Sequence, residues 1–153
     1  MKAAKQGPPA PLAYPVLFEP EPEGGFTITF PEAEIGVSYG ETREKALAQA
    51  EDLLEEAVLG HMAHGIDIPR PVPQSDPQRP LIFLPPLTAA KLLLYWALRE
   101  EGLTNDELAH RMNVAPRQVE LLFDGRHTMG RLEFIEAGLR ALGRRLVVSS
   151  EAA

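Results

Sequence analysis

Arg117 and Gln118 stand side by side at the opening of a short amphipathic segment, inside "LTNDELAHRMNVAPRQVELL" (103–122). A guanidinium can clasp guanine and a carboxamide can clasp adenine, each through two hydrogen bonds to a base edge. Pro116 precedes this pair and Leu121 lies deeper along the same segment. Thr104, Asn105 and Arg111 on one side, and Arg126, His127 and Arg131 on the other, are types that hold phosphates. Between 110 and 131, Arg111, Arg117, Arg126 and Arg131 stand against Glu120 and Asp124. Each arginine alone reads as a solvated surface charge. Grouped on one segment and its flank, they point to DNA.

Other constellations are weaker. His61 and His64 are three apart and Asp67 follows, a spacing from which a metal site is conceivable. A solvated helix end is the better reading, because histidine is favourable near a helix C-terminus. Glu19, Glu21 and Glu23 alternate with prolines in a turn. Carboxylates for metal-assisted hydrolysis need rigid, facing positions, so these read as a charged loop. Gly24-Gly25 is hairpin chemistry rather than a phosphate cradle. The serines, at 38, 75, 149 and 150, have no organised histidine partner, and there is no cysteine. No catalytic constellation is visible, so no enzyme, resident metal or cofactor is expected.

The elements that position Arg117 and Gln118 are legible. Thr104 and Glu107 form a Ser/Thr-x-x-Glu capping box that opens one helix. Leu108 and Met112 face inward from it. Asn113 stands at the turn, where asparagine tolerates left-handed backbone. Pro116, preorganised for a first helical turn, opens the next helix, which ends near Phe123. Two short helices, a tight turn and small residues at Ala109, Val114 and Val119 match helix-turn-helix geometry. A preceding helix is expected over 88–101, stopped by Gly102, and a following one over 132–142, stopped by Gly143. "DGRHTMG" reads as a loop and "RRLVVSS" as a terminal strand.

The first half differs. "YPVLFEPEPEGGFTITFPE" (14–32) reads as a β-hairpin, Tyr14–Phe18 pairing with Phe26–Phe30 around a Pro/Gly turn. In "FTITF", Phe26, Ile28 and Phe30 face one way and the threonines the other. "GVSYGET" (36–42) offers a third strand. Thr42 caps a long helix whose apolar set is Ala46, Leu47, Ala50, Leu53, Leu54, Ala57, Val58 and Met62, stopped by Gly65. "IDIPRP" suggests a further strand, giving β-β-β-α-β with one helix across one sheet. Seven prolines between 69 and 86 mark a seam, within which "LIFL" (81–84) is apolar enough to add a strand to a module. The fold class is therefore α+β. Its domains are a disordered leader (1–13), a sheet module (14–72), a proline-rich linker (73–83) and an all-α helix-turn-helix module (84–150).

Composition bounds the function. The chain has 153 residues, 44% of them hydrophobic, and a formal net charge of −7. Residues 1–87 hold 6 Lys/Arg against 13 Asp/Glu, and residues 88–153 hold 9 of each. All of the net acidity lies in the first half, which suggests two modules with different partners. An acidic surface repels nucleic acid and attracts basic proteins. The N-terminus, "MKAAKQGPPAPLA", lacks the apolar run of an export signal, and "LLLYWAL" (92–98) is too short to span a membrane. A cytoplasmic protein is expected.

These segments resemble the HicB antitoxins of bacterial HicA–HicB toxin–antitoxin pairs, over roughly residues 14–150. The resemblance is carried by "GGFT…FP", the "GETREKA" helix start, "PRPVPQ" and "LTNDELAHRMNV…QVELLFDGRHTM…LRALGRRL". It implies a partial RNase H-like fold for the first module, with no carboxylate inside "YPVLF" of the kind a nuclease strand needs. That module would cap a basic, HicA-type, mRNA-cleaving toxin, with Glu19, Glu21, Glu23, Glu32 and Glu34 as contacts. The helical module would bind operator DNA and repress the chain's own operon as a homodimer or tetramer, Leu139, Leu142, Leu146, Val147 and Val148 pairing the copies. Two features depart from the family pattern: "PEAEIG" (31–36) lacks the second proline of the usual turn, and Ala115-Pro116 replaces a serine cap. The rival readings are a stand-alone repressor with a ligand-sensing sheet and a residual metal-dependent nuclease.

Overall fold

The computed structural model describes residues 12–73, 75–124 and 131–152. It is an α+β chain with five helices and two small antiparallel sheets among the described residues. Contacts divide it into two compact units, interleaved along the sequence rather than consecutive: Met1–Leu53 with Pro69–Leu84, and Leu54–Ile68 with Pro85–Ala153. No described helix is long and apolar enough to cross a membrane.

In the first unit, β1 (Ala13–Pro15) pairs with β5 (Leu81–Phe83), Ala13 opposite Phe83. A separate sheet has the order β2 (Leu17–Pro20), β3 (Phe26–Thr29), β4 (Val37–Gly40). Its register sets Phe18 against Ile28 and Ile28 against Ser38. The β2–β3 turn closes through Glu21 N–H to Gly25 O and Gly24 N–H to Glu21 O, both 3.0 Å. Gly24 and Gly25 sit at φ 104° and 78°, where a Cβ is costly. Of the face expected to be buried, Ile28 and Phe30 are buried, while Phe26 is half-buried like Thr27 and Thr29.

The helix α1 (Arg43–His64) starts where Thr42 caps it: Lys45 N–H donates to Thr42 Oγ1 at 3.1 Å. A Cβ on Gly40 would come within 2.5 Å of the Ala46 backbone, so only glycine lets β4 run this close to the helix. Of the expected apolar set, Ala46, Ala50, Leu54, Val58 and Met62 are buried, one stripe at four-residue spacing.

Several expectations are corrected here. The Tyr14–Phe18 run is not one strand. It breaks at Val16, whose N–H donates to Pro80 O at 3.0 Å, and its two pieces join different sheets. Leu12 and Ala13 are not leader, since Leu84 N–H donates to Leu12 O at 3.1 Å and Ala13 lies in β1. The strand expected in "LIFL" forms as β5, and the described residues of the expected 73–83 linker fall inside the first unit, where Arg79 also reaches Pro15 O. "IDIPRP" is not a strand, because the carbonyls of Ile66 and Ile68 accept hydrogen bonds from side chains instead of a neighbouring strand.

In the second unit, α2 (Pro86–Glu100) is central, with Leu92, Leu94, Ala97 and Leu98 buried. It begins two residues before the expected start, because proline fits the first helical turn. The helix α3 (Asn105–Met112) packs on α4 (Pro116–Phe123) and α5 (Leu132–Ala141), and those two helices pack against α2. A Cβ on Gly138 of α5 would come within 2.9 Å of Leu94, marking close helix packing. Phe123 meets Tyr95 edge-to-face, centroids 5.7 Å apart. The segment after α1 is strapped to α2 by three side chains. Tyr95 OH donates to Ile66 O and Trp96 Nε1–H to Ile68 O, both at 2.8 Å. Arg99 donates to Asp67 Oδ1 and to Gly65 O. No strand forms over 144–150.

Candidate functional site

The capping box forms as read. Glu107 N–H donates to Thr104 Oγ1 at 3.1 Å, and Thr104 N–H donates to the Glu107 carboxylate at 2.7 Å. Asn113 takes the left-handed conformation, φ 55° and ψ 46°, and Val114 N–H closes back on Ala109 O at 3.0 Å. Leu108, Ala109 and Val119 are buried at the crossing of α3 and α4. The opening of α4 stays on the surface, with Pro116, Arg117 and Gln118 all exposed.

Missing a serine cap, α4 uses its own side chain. Gln118 Oε1 accepts Ala115 N–H at 3.2 Å, one arm of a capping box. The amide nitrogen of Gln118 keeps its two donors. Arg117 pairs with Glu120 at 3.4 Å, with side chains 70% and 49% exposed. Such a surface pair contributes about 0–1 kcal/mol. A bidentate guanine contact, at about 1–3 kcal/mol, would outweigh it.

Thr104 and Arg111 are exposed, as is Arg131 before α5; Asn105 and Leu121 are half-buried. Arg126 and His127 lie outside the described residues. A cleft of about 610 Å³, wholly within the second unit, is lined by Asn105, Arg117, Glu120 and Phe123 on one side and by Glu56 and His64 of α1 on the other. Its carboxylates make that flank of α4 unsuited to a phosphate backbone. Sequence patterning gave no sign of this, because nothing local links Glu56 to Arg117.

The other expected residues separate. Glu19, Glu21, Glu23 and Glu34 are exposed. Glu21 accepts a hydrogen bond from Thr27 Oγ1, and Glu34 sits at φ 52° in the turn after β3. Glu32 is committed inside the chain. Arg79 donates to both of its carboxylate oxygens, and also to Pro15 O at 3.2 Å and Val16 O at 3.4 Å. These hydrogen bonds hold the Glu32 carboxyl below the usual carboxylate range. Sequence reasoning missed Arg79; the only sign was an arginine preceding the apolar "LIFL".

The expected dimer residues divide too. Leu139 and Leu142 are 4% and 8% exposed, buried in the chain's own core, so they offer no surface to a second copy in this fold. Val147 and Val148 are 56% and 78% exposed, and Leu146 is half-buried. His61 and His64 do not converge with Asp67. Each ring donates from Nδ1 to the carbonyl four residues back, at 2.6 and 2.8 Å, and Asp67 holds Arg99. Among the described residues no cluster of three or more His, Asp or Glu could hold a metal.

The residues thus gather as acidic side chains along the small sheet's turns and an exposed Arg-Gln pair at the start of α4. Comparison places the chain. Residues 13–93 match a family model described as the HicB_like antitoxin of bacterial toxin–antitoxin systems. The chain is 34% identical to Antitoxin HicB 1 of Photorhabdus laumondii over 92% of its length and 88% of that protein's. It is 30% identical to Antitoxin HicB of Escherichia coli K12, covering 88% and 96%. It is 38% identical to Antitoxin HicB of Pseudomonas fluorescens, covering 74% and 77%. The chain belongs to the HicB-like family of antitoxins.

Proposed function

We propose that the chain neutralises an RNA-cleaving toxin of the HicA type and represses its own operon by binding promoter DNA as a dimer, without catalysis of its own, in the cytoplasm. Family membership supports the antitoxin half. Residues 1–87, which hold the partial RNase H-like module on this reading, carry all of the net acidity, which suits a basic toxin. The observation that carries the DNA half is the α3–Asn113–α4 pair, with Arg117 and Gln118 exposed at the start of its second helix. In a helix-turn-helix those positions enter the major groove, and two copies would read half-sites about one DNA turn apart, ~34 Å.

Arg117→Ala tests the assignment by fluorescence anisotropy on promoter DNA at fixed salt. Binding should weaken by about 1–3 kcal/mol, with relaxed preference at one base position. Wild-type affinity, or equal weakening on unrelated DNA, would remove Arg117 from base reading.

A further inference from the structure

The three-stranded sheet has two unlike faces. Phe18, Ile28 and Ser38 form one row, and Pro20, Phe26 and Gly40 the next, on the side where Gly40 meets α1. Strand alternation puts Leu17, Thr29 and Val37, then Glu19, Thr27 and Tyr39, on the opposite side. That side is open: Val37 is 68% exposed and Tyr39 49%. Both lie two residues apart on β4, one of the two outer strands of the sheet.

Tyr39 is fixed in place. Its hydroxyl donates to Gly24 O at 3.0 Å, and a Cβ on Gly25 would come within 2.2 Å of that hydroxyl. A side chain already held this way loses little freedom on binding. Beside it, Glu21, Pro22, Glu23, Gly24 and Thr27 line a groove of about 630 Å³ with the Tyr39 ring. An aromatic ring flanked by carboxylates suits a guanidinium or ammonium group, and the adjoining row, with Leu17 and Val37 on either side of Thr29, suits a protein rather than a free cation.

We infer that this open sheet face is the docking surface for a basic protein, with Leu17 and Val37 as its apolar centre and Tyr39 receiving an arginine or lysine between its ring and the carboxylates of Glu21 and Glu23. This rests on the toxin-binding reading above. It places the contact on the sheet face and leaves Glu32, already bound to Arg79, outside it.

The test is calorimetric titration of the full chain with the HicA-type toxin proposed above as its partner. Val37→Asp and Tyr39→Ala should each weaken binding about 30-fold or more, as expected at a central anchor. Val37→Asp adds negative charge, so its loss would separate apolar packing from bulk attraction. Glu133→Gln, exposed on α5, should bind like wild type. Thermal melts confirm that the exposed-site variants fold. Hydrogen exchange should show new protection at 26–29 and 37–40 in the complex. If wild type binds while both variants stay within about 3-fold of it, the docking surface is wrong and the toxin-binding reading stands. If wild type fails to bind, that reading falls and this one with it. Protection of 37–40 that grows with the chain's own concentration, without the partner, would make the face a self-interface and overturn the inference.

Discussion

Replacing Trp96 with phenylalanine probes the strap that holds the segment after α1 against α2. Trp96 is 7% exposed, and its Nε1–H donates to Ile68 O at 2.8 Å, with Ile68 itself 6% exposed. Phenylalanine keeps an aromatic ring but removes the donor. An orphaned buried carbonyl costs about 1–3 kcal/mol. The smaller ring leaves unfilled space that adds about 1 kcal/mol. The sum, about 2–4 kcal/mol, corresponds to a fall of about 1–2 M in the urea midpoint for a typical slope. Because Trp96 is the chain's single tryptophan, the melt must follow helical circular dichroism rather than fluorescence. Tyr95→Phe is the matched control. Its hydroxyl donates to Ile66 O at the same 2.8 Å, but Ile66 is 49% exposed and its carbonyl can turn to water. That change should cost no more than about 1 kcal/mol. A Trp96→Phe effect below about 0.5 kcal/mol, or a Tyr95→Phe effect as large, would refute the view that burial of the acceptor sets the cost.

Two further predictions concern the first unit. Glu32→Gln should destabilise the chain by about 1 kcal/mol near neutral pH, because the Arg79 contact is partly exposed. The folded Glu32 carboxyl is held below its unfolded value, so its contribution is complete above the ordinary carboxylate range and lost as pH falls through the folded value. The gap between wild type and variant should therefore close in acid; a gap constant down to pH 2 would exclude the linkage. Gly40→Ala should cost about 1–3 kcal/mol or more, since the new methyl meets Ala46 backbone that cannot swing aside. A thermal melt matching wild type would show that β4 and α1 can separate freely.

Features whose partners lie within four or five residues were legible in the sequence. Gly24 and Gly25 close their turn, Thr42 caps α1, Thr104 and Glu107 cap each other, and Asn113 turns left-handed, because each bond joins neighbours in the chain. The exposure of Arg117 and Gln118 followed from the same local pattern. Tertiary structure decided the rest. Whether Val16 continues a strand or breaks it depends on Pro80, some sixty residues away. Whether Ile66 and Ile68 join a sheet depends on Tyr95 and Trp96. Leu139 and Leu142 look alike in a sequence whether they face the core or a second copy, and α2 and its neighbours settled that. Apolar and polar patterning states what a side chain needs, but only the assembled chain supplies the groups that compete to satisfy it.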